Sequence, residues 1–94
     1  MADKSYVGDI GTVIEIDIGE DISLASLVKF YVRKPGGTIV EWVGSVYDNN
    51  YIRYTTVEDD FDVAGEYAVN PYIEIGGWKG TGETVEFYIF NKYV

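Results

Sequence analysis

Residues 61–90, FDVAGEYAVNPYIEIGGWKGTGETVEFYIF, decide how this chain folds. Residues 66–75 place Tyr67, Val69, Ile73 and Ile75 on one parity, the period of a strand buried on one face. Pro71 lies inside that run and lacks an amide donor, so a bulge or an unpaired edge is expected there. Residues 76–83 are expected to form a glycine-rich loop holding Trp78. Residues 84–90 close with Val85, Phe87 and Ile89 facing the core and Glu86, Tyr88 and Phe90 facing out. Ahead of the long strand, Ala64-Gly65-Glu66-Tyr67 sets a small pair before a tyrosine. Immunoglobulin-like sandwiches place a tyrosine corner at this point, its phenol bonding backwards to the main chain.

Upstream, every segment has a strand period. From Gly11 onward Ile14, Ile16 and Ile18 alternate with Val13, Glu15 and Asp17. Residues 19–26 mix turn formers with isolated apolar residues and are taken as loop. Residues 27–34 turn Val28, Phe30 and Val32 inward, and Pro35-Gly36-Gly37 reverses the chain. Residues 38–47 return with Val40, Trp42 and Val46 on one face, and Gly44 marks a bulge or a close backbone approach. Asp48-Asn49-Asn50 makes a second turn before a short strand at 51–56. No amphipathic helix interrupts this series, which predicts an all-β fold with a small barrel as the alternative; the Ala64-Gly65-Glu66-Tyr67 corner favours an immunoglobulin-like sandwich of about six or seven antiparallel strands. Phe30, Trp42, Tyr67, Val85, Phe87 and Ile89 are its expected core.

The chain's 94 residues leave room for one domain, 1–94, with a modest core. Sixteen acidic residues against seven basic ones give a formal charge of −9, which disfavours nucleic acid and anionic membranes as partners. There is no cysteine and no histidine, so disulfides, thiol nucleophiles, the commonest general base and the usual zinc ligands are all absent. The N-terminus, MADKSYVGD, lacks the cationic and apolar regions of a signal peptide. Synthesis in the cytoplasm without export by that route is expected.

Three motifs, spanning residue 27 to the C-terminus, carry a family resemblance. Lys34, Pro35, Gly37 and Thr38 form a K-P-x-G-T hairpin. Asp60, Ala64, Gly65 and Tyr67 form a D-x-x-x-A-G-x-Y corner, with Phe61 standing where leucine is usual. Trp78 opens a loop that ends in Gly82, Glu83, Thr84, Val85 and Phe87, G-E-T-V-x-F. In this order and spacing the chain resembles the small immunoglobulin-like domains of tailed-phage structural proteins, including the N-terminal domains of baseplate upper proteins. The resemblance implies a virion component of tail, baseplate, neck or head decoration, present in several copies among other virion proteins, without catalysis or cofactor. Baseplate proteins continue into further domains, whereas this sequence stops after the closing strand, so a stand-alone small protein is expected.

Candidate sites follow from the outward parities. If the strands at 27–34, 38–47, 66–75 and 84–90 are neighbours, Tyr31, Ile39, Val43, Tyr72, Tyr88 and Phe90 share one exposed face suited to protein contacts. Trp78 is the natural platform for a second partner class, a host-surface glycan, because sugar faces stack on indole. Glu58, Asp59, Asp60 and Asp62 supply the oxygens a hard cation would use, with Asp48, Asn49 and Asn50 joining them only if both loops lie at one end. Neither loop has EF-hand spacing, and the acids are taken as a solvated crossing with no metal. Glu41 and Glu86, on outward faces, are formally open as a glycosidase's carboxylate pair, but a domain this small rarely builds the deep cleft such chemistry needs, and no enzymatic activity is expected.

Overall fold

The computed structural model describes residues 5–91, and these form nine strands with no helix between them: β1 (Ser5–Tyr6), β2 (Val13–Asp17), β3 (Leu27–Arg33), β4 (Ile39–Val43), β5 (Ser45–Tyr47), β6 (Tyr51–Thr55), β7 (Gly65–Ile75), β8 (Trp78–Thr81) and β9 (Val85–Phe90). One sheet runs β1-β9-β7-β3-β4, with β8 beside the distal part of β7. The other runs β2-β6-β5.

The eleven-residue β7 is the spine of the larger sheet. It pairs antiparallel with β3 along one side and with β9, then β8, along the other. Pro71 falls where the partner changes. Its carbonyl accepts from Gly82 N–H at 2.9 Å, so its missing donor points to the same side, into the gap between Val69↔Val85 and Tyr72↔Thr81. The proline thus costs the sheet no ladder bond, which is the unpaired edge the sequence predicts.

Pro35-Gly36-Gly37 turns β3 into β4, with φ of 92° and 97° at the two glycines and Lys34 N–H donating to Thr38 O at 2.8 Å. Residues 38–47 read as one strand but serve both sheets. The chain crosses at Gly44, where a Cβ would stand 2.7 Å from the carbonyl oxygen of Arg53. Glycine is required because two backbones meet there.

The core lies between the sheets. Phe30, Val32, Ile52, Tyr67, Val69 and Ile89 are fully enclosed, and Phe61 packs edge-on against Trp42, Tyr67 and Phe87 with ring centroids 5.6 to 6.0 Å apart. Burying one such ring contributes about 1.5 to 3 kcal/mol. The phenol of Tyr67 donates to Val63 O at 2.7 Å, so the corner forms as its sequence predicts. Gly65, with φ 133°, lets the ring of Pro35 rest on its backbone. Lys34 pairs with Asp62 at 2.9 Å. The K-P-x-G-T hairpin and the corner are therefore one physical unit.

Three expectations need correction, and one condition is not met. The strands number nine among the described residues, more than six or seven, and β1 runs parallel to β9. Residues 78–81 are a strand and not loop: Trp78 pairs with Ile75 and Thr81 with Tyr72, so β-ladder bonds override the glycine-rich composition. Val85 has core parity, opposite the enclosed Val69, yet is 42% exposed, because the three-stranded sheet does not reach over it. The acidic crossing and the Asp48–Asn50 turn lie at opposite ends of β6, roughly 17 Å apart along five residues. The single-domain expectation includes residues 1–4 and 92–94, which lie outside the described residues, as does the start of the N-terminal segment.

Candidate functional site

Register decides which side chains share the outer face of the large sheet. Lys29↔Val43, Tyr31↔Glu41 and Arg33↔Ile39 place the odd residues of β3 and β4 together. Lys29↔Tyr72 and Glu66↔Tyr88 extend that surface across β7 to β9. All six residues singled out in the sequence, Tyr31, Ile39, Val43, Tyr72, Tyr88 and Phe90, lie on this face, but as separate groups.

Tyr31 and Tyr72 meet edge to face at 5.4 Å. Lys29 Nζ sits 4.9 and 5.3 Å from their ring centroids and pairs with Glu41 at 2.8 Å. The Glu41 hydrogen bond raises the Lys29 pKa, and the bond Tyr72 donates to Glu74 at 2.8 Å raises that of the phenol. On the free edge of β4, Ile39 is 59% and Val43 65% exposed. The third group is Tyr88 against Phe90, centroids 4.8 Å apart, with Tyr6 beside Phe90 at 6.1 Å. Tyr6 was not legible as a member, since it arrives on the two-residue β1.

Acid separates the first group from the third. The neighbouring Glu86 raises the pKa of Glu66, by hydrogen bonding to its protonated form and by Coulomb repulsion, and Arg33 opposes it. The face therefore has apolar contact groups flanking a carboxylate pair. Exposed aromatic and aliphatic side chains of this kind are typical of binding surfaces.

Trp78 is 56% exposed, on β8, with its ring folded over Gly80: a Cβ at Gly80 would lie 2.2 Å from the indole. Asp17 and Glu83 line the cleft on one side of it, and Glu20 and Asp21 a second cleft on the other.

The acidic crossing does not converge. Asp60 accepts from Val57 N–H at 2.7 Å and from Tyr54 hydroxyl at 2.6 Å. Burial and this carboxylate push the Tyr54 phenol well above its usual range. Asp62 faces Lys34, whose hydrogen bond lowers its pKa. Asp59 adopts φ 72° at the turn while Lys34 Nζ donates to its carbonyl at 3.2 Å; Glu58 is exposed beside it. Among the described residues no three acids gather as a cation site would need. Glu41 and Glu86 stand on β4 and β9 with two strands between them, about 14 Å apart by strand spacing. That exceeds the roughly 5 to 9.5 Å of glycosidase carboxylates.

No helix among the described residues is long and apolar enough to cross a membrane. Comparison with protein families and with curated proteins finds no match for this chain. Among solved structures it is similar to CopC from Methylosinus trichosporium OB3b, with a TM-score of 0.65 and 14% identity over 99% of this chain and 89% of CopC. At that identity the likeness speaks for the fold alone. The chain has an all-β, immunoglobulin-like sandwich fold.

Proposed function

We propose that the protein is a non-enzymatic structural subunit of a tailed-phage virion. It docks on other virion proteins, in several copies, through the outer face of its large sheet and its free sheet edges. The observation that carries the docking role is the β4 edge, where Ile39 and Val43 stand exposed beside the Tyr31–Tyr72 pair. The virion setting rests on the sequence resemblance. Two of the three motifs that carry it pack together, Pro35 resting on Gly65 and Lys34 pairing with Asp62 inside the corner. The expected location is the particle, after synthesis in the host cytoplasm. Mass spectrometry of purified particles tests this: the protein should co-purify in stoichiometric amount, and its absence rejects the reading.

A second reading, a module for host-surface glycans, is favoured by one observation. The exposed Trp78 ring lies between two clefts that carry carboxylates, a stacking platform beside acceptors for sugar hydroxyls. A glycan array with a Trp78→Ala control tests it, and absence of binding removes it.

A further inference from the structure

The three-stranded sheet is narrower than the sheet it covers, and the deficit falls on the β2 side. Ile18 N–H donates to Asn50 O at 2.8 Å, and Thr56 N–H donates to Thr12 O at 2.9 Å. Thr12, Ile14, Ile16 and Ile18 therefore turn their backbone groups toward β6. Val13, Glu15 and Asp17 turn theirs the other way, along an edge with no neighbouring strand. Opposite that edge, core-parity side chains of the large sheet stay uncovered: Val85, and Trp78 across from Ile75. Two clefts of about 420 and 490 Å³ follow each other along β2, the first from Ile16 to Ile18 against Val85 and Trp78, the second from Thr12 to Glu15 against Phe87.

The charge along this seam has one sign. Asp17 and Glu83 border the first cleft, Glu15 the second, and Glu20 and Asp21 the continuation beside Trp78, while no lysine or arginine lines any of them. Only Glu15, of these five, has an ion-pair partner among the described residues, Arg53. A second copy of this chain would bring its own net charge of −9 against the seam, and anionic lipid or nucleic acid is repelled likewise.

We propose that the β2 seam accepts an extended segment of a partner protein as an added strand, with apolar side chains at alternate positions and Lys or Arg between them. Main-chain bonds to Val13, Glu15 and Asp17 hold the segment. Its inward parity covers Val85 and Trp78, completing the core that the small sheet leaves open. Its outward parity lies beside Glu15 and Asp17 on the same face of the enlarged sheet, where opposite charges on neighbouring strands attract. The proposal rests on the docking role argued above and specifies one edge and its occupant.

The test titrates two synthetic peptides of about nine residues, one alternating Val with Lys and one alternating Val with Glu, into the isotope-labelled full chain. Saturable amide shifts at Val13, Glu15, Asp17 and Val85 are expected with the Val/Lys peptide alone. Glu15→Pro keeps the β6 ladder, because the Glu15 amide faces the free edge, and removes a central donor from that edge. Affinity should then fall roughly tenfold or more. Asp17→Asn removes an exposed charge while keeping a side-chain oxygen that can accept from Gly19 N–H and the Asn50 amide, and should weaken binding by roughly threefold to tenfold, giving a readout if the proline variant does not fold. Equal binding of the two peptides, shifts spread over the acidic surface without β2, or unchanged affinity in a folded variant overturns the proposal. Such a failure leaves the docking role to the outer face, whereas absence from purified particles rejects the virion setting and leaves the seam untouched.

Discussion

Tyr67 donates its phenolic hydrogen to the carbonyl oxygen of Val63 at 2.7 Å, from a side chain with no solvent exposure. The bond spans only four residues, yet it fixes how the acidic crossing enters the long strand. Tyr67→Phe keeps the ring stacked on Phe87 and edge-on to Phe61 while leaving the Val63 carbonyl without this donor. The expected cost is about 2 kcal/mol in urea denaturation. A loss below about 0.5 kcal/mol would reduce the corner to a packing tyrosine.

Gly44 tests the crossing between sheets. Its missing Cβ would meet the Arg53 carbonyl oxygen at 2.7 Å and Ile52 Cγ2 at 3.1 Å, and a carbonyl in a ladder does not yield as a side-chain tip does. Gly44→Ala is expected to cost about 1 to 3 kcal/mol, measured by thermal or urea unfolding. An equally stable alanine variant would mean that the β4 and β6 backbones separate easily.

How far these features were legible differs element by element. The Ile14, Ile16, Ile18 alternation and the β3–β4 hairpin carry their information locally, in period and turn chemistry, and the corner does so in four residues. Trp78–Thr81 does not, because its strand character comes from bonds to β7 and not from its own glycine-rich pattern. The split at Gly44 was hidden because parity continues unchanged from Trp42 to Val46 while the partner strand changes. Of the candidate site, parity placed all six residues on the outer side of the large sheet, where Ile39, Val43 and Tyr88 are exposed and Tyr31, Tyr72 and Phe90 are half-buried. It did not reveal the Glu66–Glu86 pair between them, which needs the β7–β9 register. Val85 shows the same limit: parity gives the direction of a side chain, and the width of the opposing sheet determines whether it is covered.

The Glu66–Glu86 pair makes stability depend on pH. Hydrogen bonding to Glu86, with like charge beside it, raises the Glu66 pKa above its ordinary 4.5, so the folded state binds this proton more tightly than the unfolded chain. Its contribution is therefore present at low pH and lost as pH rises through the elevated value. Asp62 and Asp21 act in the opposite sense: hydrogen bonds from Lys34 and Ser23 lower their pKa values below 3.8, so their contribution is lost as pH falls through that range. Glu66→Gln should raise the melting temperature at neutral pH and leave it unchanged near pH 3, where wild-type Glu66 is already protonated. Parallel melting curves across the whole range would contradict this.

The exposed edge of β4 separates docking from folding. Ile39 and Val43 stand on the outer parity, so replacing both with lysine removes apolar contact surface without opening the core beneath Val40 and Trp42. Lysine on an edge strand is well tolerated and discourages pairing with a further strand. The double variant sets its two lysines opposite Arg33 and Lys29, and like charges on neighbouring strands should cost it about 1 kcal/mol, whereas Val32→Ala, at an enclosed position, should lose about 2 kcal/mol or more. If the outer face docks on other virion proteins, the lysine variant should fail to enter particles when it replaces the wild-type copy during infection. The alanine variant should still enter at temperatures where it remains folded. Incorporation of the lysine variant at the wild-type level would remove the β4 edge from the docking surface.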